Sequence, residues 1–70
     1  MLGMLTWEDS YAIARALKEK YPDIDLQDVS LNMIYKWTVE LPEFSDDHEL
    51  ANETILAIIF QEWVEEVYSE

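Results

Sequence analysis

Residues 41–49, Leu-Pro-Glu-Phe-Ser-Asp-Asp-His-Glu, crowd Glu43, Asp46, Asp47 and Glu49 into seven positions with no lysine or arginine among them. Like charges this close repel one another, so the run needs a reason. Carboxylate oxygens suit a hard cation when several converge from different elements. Displayed together on a surface, they suit a basic protein face. At a helix start they cap amides and complement the dipole, each for about 0.3–1 kcal/mol. Capping accounts for two of the four acids and leaves the missing bases unexplained, so all three readings stay open. His48 adds an imidazole that can ligate iron. As a catalytic base it lacks a nucleophile, because Ser10, Ser30, Ser45 and Ser69 sit in no recognisable motif. No enzymatic activity is expected.

A second acidic run, Asp-Ile-Asp-Leu-Gln-Asp, brings Asp23, Asp25 and Asp28 together. It has the look of a calcium loop but lacks that loop's glycine and terminal glutamate, and reads as a turn plus a helix cap. Cysteine is absent and histidine occurs once, which removes disulfides, thiolate metal sites and the usual zinc sets. The one glycine, Gly3, lies in the N-terminal tail, so phosphate loops and dinucleotide fingerprints are missing too.

Charge sharpens the choice. Sixteen acids face four bases, for a net charge of −12, and the imbalance is uneven. Residues 1–20 hold three acids and three bases, whereas Trp37 to Glu70 hold ten acids and no base. Such a field repels nucleic acid and anionic membranes and favours metal cations or a basic protein surface. Segregated charge also makes the molecule a dipole, able to orient an encounter with a basic partner. The longest wholly apolar run, Ile55 to Phe60, is far short of the ~20 residues of a membrane span. With no signal peptide visible, a cytoplasmic location is expected.

The elements that must position these acids are helical. Seventy residues, half of them hydrophobic, make one small domain over 1–70 with enough aromatic bulk for a core. Thr6, with Asp9 three residues on, forms a capping-box pattern. Trp7, Ser10, Ile13, Ala14, Leu17 and Tyr21 then recur at helical spacing until Pro22 ends the helix. Asp25 and Asp28 frame a short helical turn. Asn32 is expected to cap the next helix, with Met33, Ile34, Trp37 and Leu41 inward and Pro42 as its stop. The last helix is expected to start near Asp46 or Asp47 and run close to Tyr68, with Ile55, Leu56, Ile59, Phe60, Trp63 and Val67 as its apolar stripe. Ile58 falls in the polar sector of that helix. The expectation is an all-α bundle of three main helices plus one short turn.

Five stretches, in order and without gaps, resemble the IscX family, the small acidic accessory proteins of bacterial iron–sulfur cluster assembly. They are Trp-Glu-Asp-Ser with Ile-Ala (7–17), Tyr-Pro-Asp-Ile-Asp (21–25), Trp37, Leu-Pro-Glu-Phe-Ser-Asp-Asp (41–47), and Asn-Glu-Thr-Ile-Leu (52–56) followed by Trp63 and Glu65-Glu66. The resemblance implies a winged-helix-like, all-helical fold without catalysis. It implies docking on the basic surface of a cysteine desulfurase, in competition with frataxin or ferredoxin, by a monomer with no obligatory cofactor. The partner-binding residues it implies, with the acidic run, are Asp9, Asp23, Asp25, Glu43, Asp46, Asp47, Glu49 and Glu53. Weakly bound iron is implied at Asp23, Asp25, Asp46 and Asp47. The chain departs from the family pattern between Val29 and Trp37: Ser30 stands for an arginine, Met33 for an aspartate and Tyr35 for a histidine. His48 stands for a proline, Leu26 for another, and Ser45 for an aspartate. Two potential ligands are thereby lost from the third helical element.

Overall fold

The computed structural model describes residues 4–68, and its first helix begins later than the sequence suggests. Thr6 and Asp9 do bond, but upstream of the helix. The Asp9 carboxylate accepts the Thr6 amide at 2.9 Å and its hydroxyl at 3.2 Å, and the Asp9 amide returns to the Thr6 carbonyl at 2.9 Å. This closed turn delivers the chain into α1, Ser10–Lys20, with Asp9 in place of Thr6 as the cap position. Trp7 therefore lies ahead of the helix, yet it is buried, 3% exposed. Ile13, Ala14 and Leu17 carry the buried face of α1. Lys18 and Lys20 occupy its last turn, where cations complement the dipole, and Pro22 follows.

After a short 3-10 turn at Leu26–Asp28, capped by Asp25 as expected, comes α2, Leu31–Val39. Its cap is Ser30 and not Asn32. The Ser30 hydroxyl accepts the Met33 amide at 3.2 Å, and the Met33 sulfur lies 3.4 Å from the Ser30 amide as a weak acceptor. A serine in extended conformation one residue before the first helical turn satisfies an amide that Asn32, already inside the helix, cannot reach.

The third helix is also shorter than expected. Residues after Asp47 form a second 3-10 turn, His48–Leu50, and α3 begins at Glu53 and runs to Tyr68. The Asn52 side chain accepts the Ile55 amide at 2.9 Å and takes the capping role assigned by sequence to Asp46 or Asp47. Leu56, Ile59 and Trp63 are buried, but Val67, expected inward, is exposed.

α3 is the common partner of α1 and α2, which touch each other little. The Cα trace spans 29 × 28 × 16 Å, so the molecule is two helix layers deep. Its radius of gyration, 11.2 Å, equals the about 11 Å of a compact chain of this length. The core joins Trp7, Ile13, Leu17, Leu26, Ile34, Leu41, Leu56, Ile59 and Trp63 across all three helices. Trp37 is only half-buried, stacked on Tyr21 at 4.4 Å and edge-on to Trp63 at 6.3 Å. Extended pairing among the described residues is limited to one parallel bridge, Leu5 with Phe44. It is held by Leu5 N to Glu43 O and Ser45 N to Leu5 O, both 2.8 Å. The fold is all-α.

Candidate functional site

The bridge fixes where the acidic run lies. Residues 43–47 run beside residues 5–7, and Trp7 clamps them from below. The Trp7 amide donates to Asp46 Oδ2 at 3.1 Å, and its indole Nε1 donates to the Asp47 carbonyl at 2.8 Å. Asp46 Oδ1 accepts the Asp47 amide at 2.7 Å, so both oxygens of this carboxylate already hold backbone donors. Asp47 Oδ1 accepts the Glu49 amide at 2.9 Å and caps the second 3-10 turn. Asp46 is partly buried, and its first task is architectural.

Aromatic rings complete the clamp. Phe44 meets Trp7 edge-on at 4.7 Å, and Tyr35 stacks over Trp7 at 6.0 Å and 7°. His48 stands against both, 6.2 Å from Phe44 and 6.4 Å from Tyr35. Tyr35 and His48 thus contact each other edge-on, an aromatic contact between the run and α2.

The remaining acids are distributed as follows. Asp9 serves the Thr6 turn and Asp25 Oδ1 accepts the Gln27 amide at 2.9 Å, both at exposed positions. Asp23 is exposed on the α1–α2 connection, and Glu53 is exposed in the first turn of α3. Glu43 is half-buried in a groove shared with Glu19, Lys20, Leu41 and Pro42. The bases of α1 also serve the far end of α3. Lys18 Nζ donates to the Glu66 carbonyl at 3.3 Å. Arg15 bonds the Tyr11 hydroxyl at 3.4 Å, and its pKa is raised first by that hydroxyl and next by the charge of Glu66. Glu66, near the end of α3, thus faces cations from α1. Asp47, Glu49 and Glu53 remain exposed in the stretch that carries no base of its own.

The four residues implied for iron lie on two different connections: Asp23 and Asp25 before α2, Asp46 and Asp47 after it. Among the described residues no group of three or more acidic or histidine side chains is placed to hold a metal ion. What the geometry assembles is a ledge: the Trp7 clamp, the second 3-10 turn and the start of α3, with carboxylates along it. Trp7's amide and indole donors are the members sequence reading missed, since nothing local ties them to residues thirty-nine and forty positions away. The alternation of acids with Phe44, Leu50 and Ile55 was the available signal that this run packs as well as repels.

Two comparisons bear on the arrangement. The chain is 42% identical over 62 residues to an uncharacterized protein of Pseudomonas aeruginosa, a match spanning 89% of this chain and 94% of the relative. Residues 5–68, from the bridge strand to the last described turn of α3, match the family described as iron-sulphur cluster assembly. The quoted motifs, the all-α fold and this match agree, and the chain belongs to that family, the IscX family of iron–sulphur cluster assembly proteins.

Proposed function

We propose that the protein is a non-catalytic acidic adaptor that docks, as a cytoplasmic monomer, on the basic surface of the cysteine desulfurase of iron–sulfur cluster assembly. There it competes with frataxin or ferredoxin for the same surface and so tunes sulfur delivery. The observation that carries this reading is the stretch from Trp37 to Glu70, ten acids and no base, in a member of a cluster-assembly family. The ledge presents Asp47, Glu49 and Glu53 from that stretch as exposed carboxylates close together in the chain. Docking of this kind depends on the summed field and tolerates the loss of individual ligands between Val29 and Trp37.

The test reverses Glu49 and Glu53 to lysine together, leaving Asp46 and its amides intact. Co-elution with the desulfurase is expected to disappear while the helical circular-dichroism signal is retained. Affinity of the unaltered protein should fall steeply with salt, because exposed charges are screened within ~8 Å at physiological ionic strength. Co-elution that survives both the double reversal and high salt would reject the proposal.

A further inference from the structure

Beside the ledge lies an open groove of about 450 Å³, lined by Thr6, Trp7, Glu8, Asp46, Leu50 and Ile55. Its size falls in the range of side-chain and ligand sites, about 300–1,000 Å³. Leu50 is 56% exposed and offers an apolar side chain to a partner at this edge. Glu8 is exposed at the rim and Asp46 is partly buried in the wall; no base contributes to the lining. Apolar floor and anionic rim together ask for one kind of occupant: a side chain with an aliphatic stem and a cationic head.

We propose that this groove receives an arginine side chain from the protein partner. The proposal deepens the docking reading above and rests on it for the identity of the partner. Arginine fits better than lysine, since guanidinium is more weakly hydrated and its planar fork matches a carboxylate. Its methylene stem lies over Leu50 and Ile55 while its head reaches Glu8. A second copy of this chain is a poor occupant, because two molecules of net charge −12 repel and only four bases are on offer.

Two measurements decide it. Titrating the isotope-labelled protein with a short arginine-only peptide, and separately with a lysine-only peptide, is expected to shift the Trp7 indole signal and the Leu50 and Ile55 amides, the arginine peptide several-fold more tightly. Shifts spread equally over every acid, or equal responses to both peptides, would overturn the assignment. So would concentration-dependent shifts at Leu50 and Ile55 without peptide, which identify a second copy as the occupant. In the second measurement Leu50→Ser, at an exposed position that leaves the core untouched, is expected to weaken desulfurase binding about tenfold at low and high salt alike. Wild-type affinity for Leu50→Ser overturns the groove's role and leaves the docking reading standing. Failure of the unaltered protein to bind the desulfurase overturns the docking reading, and the peptide titration then decides the groove alone.

Discussion

The Asp46 carboxylate accepts the backbone amide of Trp7 at 3.1 Å across thirty-nine residues of chain, and the Trp7 indole answers by donating to the carbonyl of Asp47 at 2.8 Å. Trp7 donates both bonds across the same gap, and together they lock the acidic run to the N-terminal segment. An anionic acceptor satisfying two backbone donors, one partly buried, is among the stronger hydrogen-bonded arrangements available to a small protein. The most conspicuous acid of the run is therefore also a structural staple.

Asp46 and Asp47, adjacent and alike in sequence, should differ in what they contribute. Asp46→Ala is expected to lower stability by about 2 kcal/mol, because two amides lose a charged acceptor. Asp47→Ala removes one cap of a short exposed turn and should cost about 1 kcal/mol or less. Urea denaturation of the two variants checks the order. Equal losses would mean that the Trp7 tie contributes nothing beyond an ordinary cap.

The helix starts give a second prediction. Asn52→Ala and Ser30→Ala should each cost about 1 kcal/mol, since each side chain accepts an amide of the following turn. Asn32→Ala should be neutral or slightly stabilising, because Asn32 is exposed inside α2, where alanine is the better helix former. Melting temperatures of the three variants decide it; a destabilised Asn32→Ala would return the cap to Asn32.

These caps mark the boundary of what the sequence makes legible. The inward faces of α1 and α3 follow from 3.6-residue spacing, and Ile13, Ala14, Leu17, Leu56, Ile59 and Trp63 are buried as that spacing requires. The starts do not follow, because Thr6, Asp9, Ser30, Asn32, Asp46, Asp47 and Asn52 are all competent caps. Which one acts depends on the backbone around it. Asp46 lies a 3-10 turn upstream of α3, and its carboxylate holds the Trp7 amide, a partner from the other end of the chain. Val67 lies in the right phase but is exposed, on the edge of an open groove that it shares with Lys18, Tyr21 and Ile24. The acidic ledge was legible as charge; its division into stapling and exposed carboxylates was not.

A third prediction comes from Thr38. It is 0% exposed, on the buried face of α2, and its hydroxyl is a buried side-chain oxygen without a hydrogen-bond partner. Burying such a group unpaired costs about 1–3 kcal/mol. Thr38→Val keeps the shape and removes the hydroxyl, and is expected to raise stability by about 1 kcal/mol. Thr38→Ser keeps the hydroxyl, removes the methyl and should be less stable than the parent. The opposite order in urea midpoints would show that the hydroxyl is satisfied in solution.

The thin core sets the last prediction. A chain of this length has roughly 4–10 kcal/mol of total stability. Leu17 is fully buried on the α1 face that packs against α3, the most extensive helix contact in the fold. Leu17→Ala deletes three buried carbons and leaves a cavity that two helix layers cannot easily collapse, for a loss of about 2–5 kcal/mol. That removes about a fifth of the stability at the least and more than half at the most, so the variant should melt well below the parent. Ile58→Ala, also on a helix but 47% exposed, should change stability by only a few tenths of a kcal/mol. Circular dichroism against temperature separates the two. A cooperative, near-parental melt for Leu17→Ala would mean that α1 is not what holds α3 in place, and the ledge built on the start of α3 would then need another anchor, for which the Trp7–Asp46 tie is the nearest support.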